Sequence, residues 1–163
     1  MNRKAILFLA PFISAIMIRD AHAATTTTTF PVTATVLTSC VVTATPLVFG
    51  NYDPTSATPL DAANTLIVTC TTGTAYNVGL DAGTGSGATV TIRKMTSGAN
   101  TLNYTLYQEA ARTTIWGNTP PTNTVNATAV VLPTTHTICG RVSGGQNVPA
   151  SLYADTITVT VTY

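Results

Sequence analysis

Apolar and polar residues alternate with period two along most of this chain, and clusters of Gly, Pro, Asn and Asp interrupt the alternation at short intervals. Period two is the signature of strands with one buried face, and helical periodicity is nearly absent. The pattern predicts strands at Phe30–Val36, Cys40–Thr45, Asn64–Thr71, Tyr76–Leu80, Thr89–Arg93, Leu102–Tyr107, Ala129–Leu132, Thr135–Val142 and Asp155–Tyr163, with a further extended piece at Thr114–Gly117. Turns are expected at Asn51–Pro54, Ala82–Ala88, Gln108–Arg112, Asn118–Pro121 and Ser143–Pro149. Strands at this spacing, with roughly seven needed for the sandwich itself in about 125 residues, fit an immunoglobulin-like β-sandwich. No internal repeat and no second domain is visible.

The two ends of this pattern do not match. Ala24–Leu37 is extended but belongs to no hairpin, and Phe30, Val32, Ala34 and Val36 share one face of it. At the other end Ile157, Val159 and Val161 alternate with Thr, so the strand should have a buried face and a neighbour on each side. No sequence follows to supply the second neighbour. A sandwich with a spare strand in front and a missing one behind can polymerise by lending one to the other.

The first residues read as a targeting segment: basic Asn2–Lys4, an apolar stretch from Ala5 to Met17, and the small-x-small signature Ala21–Ala23. This is the pattern of a secretory signal peptide cut after Ala23. The apolar run is shorter than the roughly 20 residues a transmembrane helix needs. Cleavage leaves one domain of about 140 residues. It also removes Arg3, Lys4, Arg19 and Asp20, leaving four basic and five acidic side chains. Such a charge balance offers no footprint for nucleic acid or an anionic membrane, either of which needs clustered Lys and Arg.

Export makes a disulfide the expected state of two of the three cysteines. Cys40 and Cys70 each lie in a short β-like run suited to neighbouring strands, which leaves Cys139 unpaired. Cys139 reads as a small buried hydrophobe, with an interchain bridge or another pairing as the alternatives. Trp116 reads as a core residue, with a surface contact as the alternative.

Catalytic chemistry is sparse. After cleavage the only histidine is His136, and Asp53, Asp61, Asp81, Glu109 and Asp155 sit in separate turns or strand starts, the pattern of residues that bond local backbone. Spacing alone does not exclude a carboxylate pair of the glycosidase type. No Gly-x-Ser-x-Gly elbow accompanies His136, the Gly-rich loop at 82–88 lacks the Lys-Ser/Thr of a phosphate loop, and no spacing suits zinc. No enzyme activity, cofactor, metal or small-molecule substrate is therefore expected. Asn103–Thr105 and Asn126–Thr128 match the glycosylation sequon, which matters only in a host that modifies it.

Several stretches resemble one known family. Cys40–Pro54 is similar to the opening of the spore coat protein U domain, Lys94–Tyr104 and Tyr107–Thr113 to its middle, and Gly140–Arg141, Gln146–Ala150 and Tyr153–Tyr163 to its end. The family includes subunits of archaic chaperone–usher pili, which support attachment and biofilm formation. The resemblance implies an incomplete immunoglobulin-like sandwich lacking its last strand. A periplasmic chaperone fills the gap until, at an outer-membrane usher, the N-terminal extension of the next subunit replaces it. Carried onto this chain, the donated segment is Ala24–Leu37, with Phe30, Val32, Ala34 and Val36 entering the groove. The domain is then 38–163, the family's bridge falls on Cys40 and Cys70, and Ile157, Val159, Val161 and Tyr163 form the last strand beside the groove. One departure is that relatives often carry an aromatic residue where this chain has Cys139. The implied role is a structural pilus subunit, whose partners are copies of itself or related subunits, the chaperone and the usher. The alternatives are a secreted coat or matrix protein that closes on its own strand, which predicts a stable monomer, and a tip adhesin.

Overall fold

The computed structural model describes residues 23–163, so the expected signal peptide lies, apart from Ala23, outside the described residues. The chain divides after Thr35, and the residues described before that point are exposed and carry no strand. The strand expected over Phe30–Val36 is therefore not formed, because a lone extended segment has no ladder partner to replace water on its backbone.

From Val36 onward the chain is all-β, with no helix among the described residues. Eight strands follow: β1 Cys40–Ala44, β2 Leu60–Cys70, β3 Ala75–Leu80, β4 Arg93–Ser97, β5 Asn100–Tyr107, β6 Val125–Thr128, β7 Thr134–Val142 and β8 Val159–Thr162. They form a five-stranded sheet ordered β1-β2-β7-β5-β4 and a three-stranded sheet ordered β6-β3-β8, with every pairing antiparallel. Inward positions of both sheets meet in one core: Leu66 and Val68 of β2, Tyr76, Val78 and Leu80 of β3, Leu102, Tyr104 and Leu106 of β5, and Ile138 and Val142 of β7. Trp116 is buried among them and donates its indole N–H to the Val78 carbonyl at 2.8 Å.

Cys40 and Cys70 face each other across the β1–β2 ladder and are joined by a disulfide. Cys139 is free and buried on β7, opposite Ala63 on one side and Tyr107 on the other, as expected of a small buried hydrophobe.

Beyond Phe30–Val36, three predicted strands and the extended piece at Thr114–Gly117 differ from what is observed, and local hydrogen bonds accompany each difference. Residues 89–92 form a tight turn closed by the Thr89 and Ile92 backbones, so β4 begins only at Arg93. Thr114–Gly117 contributes a single bridge, Ile115 to Tyr107, rather than a ladder. Ala129–Leu132 is not a strand. Ala129 exchanges backbone bonds with Gly73 and Thr74, which ends β6 at Thr128, and Pro133 offers no N–H to restart a ladder. The last strand is shorter than Asp155–Tyr163. Ala154 pairs instead with Thr96 of β4, and β8 has one neighbour, β3, rather than two.

Candidate functional site: an open groove between the sheets

The two sheets come near each other where β1 faces β8 and part beyond it. After Ala44 the chain leaves β2 and runs through Pro46 to Tyr52 without joining a ladder. Thr45 is the last residue held, its N–H bonded to Thr65 O at 2.9 Å and the Asn64 side-chain amide capping its carbonyl. Across the core the segment Val148–Thr158 forms the facing wall and leads into β8. Between these walls lies a groove of about 1000 Å³, floored by Leu102, Tyr104, Leu106, Ile138 and Val142. Its lining stops at Ala44 and Val159, where β1 and β8 approach each other. We call this the closed end. At its other extreme the lining reaches Tyr52 and Ser151–Tyr153, which we call the open end.

Both walls are held by side chains. On the first, the Phe49 ring meets Tyr104 edge-on at 6.0 Å. Gly140 of β7 is needed beneath it, because a Cβ there would lie 2.7 Å from the Phe49 ring and 2.8 Å from Leu47. The Tyr52 hydroxyl donates to Ser143 O at 2.9 Å and accepts the Gln146 N–H at 2.7 Å. On the second wall, the Asp155 carboxylate gathers the Thr84 N–H at 2.8 Å, the Thr84 hydroxyl at 2.8 Å, the Thr156 N–H at 2.7 Å and the buried Tyr104 hydroxyl at 2.7 Å. Burial, and then the bond to Asp155, raises the Tyr104 pKa far above its ordinary value, so this hydroxyl is a permanent donor. Gly83 allows the approach: its φ is +81°, and a Cβ would collide with Asp155. Asp81 fixes the next turn by accepting the Thr158 and Gly83 N–H groups at 3.0 Å each.

The sequence-selected residues fall as follows. Ile157 and Val159 line the groove, Val161 packs on the core beyond the lining, and Tyr163 is exposed at the closed end. Phe30, Val32, Ala34 and Val36 are all exposed. The outer edge of β8 and that of β1 carry no partner strand among the described residues. A free sheet edge beside an apolar slot presents both requirements of a strand-shaped ligand, namely backbone donors and acceptors in a row and pockets for alternate side chains.

The carboxylates are engaged structurally. Asp53 accepts the Thr55 N–H and hydroxyl, and Glu109 accepts the N–H groups of Thr113 and Thr114; these bonds lower both pKa values. Asp61 takes a two-pronged bond from Arg141 at 2.7 and 2.8 Å and lies 3.3 Å from Arg112, and the bond to Arg141 is the main cause of its lowered pKa. Asp81 and Asp155, which flank the Gly83–Thr84 turn, hold the wall as described. His136 meets the Tyr76 hydroxyl at 3.1 Å, and burial lowers its pKa. No group of three or more His, Cys, Asp or Glu with metal-binding geometry occurs among the described residues.

Sequence reasoning missed the wall formed by Ala44–Tyr52 and the Asp155 clamp. It also missed Arg93, whose guanidinium is fully buried and donates to the carbonyls of Leu80, Asp81, Val90 and Trp116. An arginine followed by a lysine in a turn-rich stretch carries no sign of burial; only the β-like Thr89–Ile92 before it hinted at a strand.

Comparison with known proteins places this geometry. A chain in the crystal structure of the CsuC–CsuE chaperone–tip adhesion subunit pre-assembly complex, from archaic chaperone-usher Csu pili of Acinetobacter baumannii, superposes with a TM-score of 0.59. The match covers 79% of this chain and 40% of that one at 24% identity, a likeness of fold. Protein U of Myxococcus xanthus is 37% identical over 126 residues, covering 71% of this chain and 70% of the relative. The model of the Spore Coat Protein U domain matches residues 26–160, nearly all that follows the expected cleavage site, and the chain belongs to that family.

Proposed function

We propose that this chain is a structural subunit of a chaperone–usher type pilus that polymerises by strand donation, Ala24–Leu37 of one copy filling the groove of another. The observation that carries the reading is the open groove beside the unpartnered edge of β8, together with an extension whose apolar face is exposed at Phe30, Val32 and Val36. Seating four apolar side chains, at roughly 1.5–3 kcal/mol for each of the larger ones, gives strong capture, and ladder bonds along the strand add register.

Donation between copies is favoured over self-closure by how the chain enters β1. The Thr71 hydroxyl donates to the Leu37 carbonyl at 3.2 Å and accepts the Ser39 N–H at 3.1 Å, and Thr71 N–H donates to Ser39 O at 2.9 Å. Leu37 and Ser39 therefore continue the line of β1 against Thr71, beyond the Ala44 limit of the groove lining. Reaching its own groove would require the extension to reverse within these three residues. A contact in which one copy lends and the next receives is heterologous and builds filaments. Before assembly the open edge is an aggregation hazard, which is the physical need a periplasmic chaperone meets; an outer-membrane usher and delivery to the cell surface complete the route. Attachment and biofilm formation are the roles such a filament would serve.

The test is electrophoresis of the exported chain without heating. Strand-linked copies should resist detergent and run as a ladder that collapses on boiling. Phe30→Asp with Val32→Asp should abolish the ladder. A stable monomer with no ladder in the unsubstituted chain contradicts the proposal and favours a self-closed coat or matrix protein.

A further inference from the structure

We propose that the Val130–Leu132 loop is a second contact between consecutive copies, seated against the open mouth of the preceding copy's groove at Leu152 and the wall leading to it at Val48; the inference rests on strand donation. Val130, Val131 and Leu132 are 59%, 86% and 73% exposed, a run of three large apolar residues in water. Scattered apolar residues on a surface need no explanation, but a contiguous group marks an interaction site.

The position of the loop says what covers it. Ala129 bonds Gly73 and Thr74, Thr74 N–H bonds Thr71 O, and Thr71 bonds Ser39. The loop and the root of the extension thus share one end of the sandwich. The extension enters β1 after only three residues, Leu37 to Ser39, beyond Val36, the last side chain with groove-facing parity. Three residues span about 10 Å. Every strand pairing of the sandwich is antiparallel, and a donated strand that pairs antiparallel with β8 runs from the Thr162 end of β8 towards Val159 and so leaves the acceptor by the open end. So short a tether forces the donor's loop-bearing end against the acceptor's open mouth. That mouth displays Leu152, 85% exposed, and the wall leading to it displays Val48, 74% exposed; both are on the groove lining. Apolar surface meets apolar surface at the one place where the linker brings the copies together.

A handful of side chains is far below the area of an independently stable interface, roughly 1000 Å² or more. The contact can form only because the tether holds the partner at millimolar-order effective concentration. It would limit the swing of one copy on the next. Copies whose extension is disabled should not associate through it.

The exported chain carrying Leu132→Cys and Leu152→Cys tests this under mild oxidation, alongside a second chain carrying Val131→Ser and Leu132→Ser. The expected result is an interchain cross-link between consecutive copies, reduced roughly tenfold or more when Phe30→Asp and Val32→Asp disable donation. The serine chain should keep the detergent-resistant ladder but form filaments with a broader distribution of angles between copies in electron micrographs. A normal ladder with no cross-link and unchanged angles overturns the inference. So does a serine chain whose only defect is weaker adsorption to an apolar surface, which would make the loop an outward-facing sticking patch. Absence of a ladder in the unsubstituted chain overturns donation itself, and this contact with it.

Discussion

Arg93 is a cation with no accessible surface, and four main-chain carbonyls take its donors. Those carbonyls belong to the end of β3, the turn before β4 and the Trp116 segment, so one side chain ties three pieces of backbone together. Replacing it by Met should leave the carbonyls unpaired, at about 1–3 kcal/mol for each that stays out of reach of water, read as a lower denaturant midpoint. His136, half-buried, is a second polar group with a measurable signature. Burial depresses its folded pKa, so the neutral ring is the folded form. An unfolded chain then binds more protons below the unperturbed value near 6.5, and stability is complete above that pH and falls as pH drops through the folded value. His136→Phe should flatten the dependence of melting temperature between pH 7 and pH 5, a window above the range where the carboxylates protonate. At Cys40 and Cys70 the loop of 30 residues sets the scale: reduction, or a Ser pair in their place, should cost about 3–4 kcal/mol on the chain-entropy model.

The elements that matter most are the two that are not strands. Pro46–Tyr52 and Val148–Thr158 are irregular, yet they make the walls of the groove. Gly140 supports the first by letting Leu47 and Phe49 lie on β7. Gly140→Val should push them into the groove, destabilise the domain by about 1–3 kcal/mol, and weaken capture of a peptide spanning Ala24–Leu37, which calorimetric titration would show. Elements of this kind were the least legible in the sequence. Strands β1, β2, β3, β5 and β7 could be read from alternation because their inward residues meet a continuous core. Val130–Leu132 misled, since its apolar content serves no ladder. Residues 155–158 misled too: the period continues through them, but Asp155 and Asp81 draw the backbone aside. The groove was legible only as a missing neighbour for Ile157 and Val159. Its walls depend on contacts between residues far apart in the chain, such as Tyr104 with Asp155, which no local pattern encodes.

At the scale of the molecule, the proposed function makes a domain with an open apolar slot and an extension with an apolar face two halves of one interface, and separating them onto different copies would make a filament. The groove is lined by aliphatic and aromatic side chains, while the Asp61 ion pairs lie on the outer face of the large sheet. Assembly should therefore be nearly indifferent to salt, and the ladder of bound copies should look the same at low and at molar sodium chloride. The most direct measurement uses the exported chain with its own extension disabled by Phe30→Asp and Val32→Asp, melted with and without a synthetic peptide of Ala24–Leu37. A large rise in melting temperature with this peptide, and none with a peptide carrying the same two Asp residues, is the predicted result. An already stable monomer that the peptide leaves unchanged would contradict strand donation.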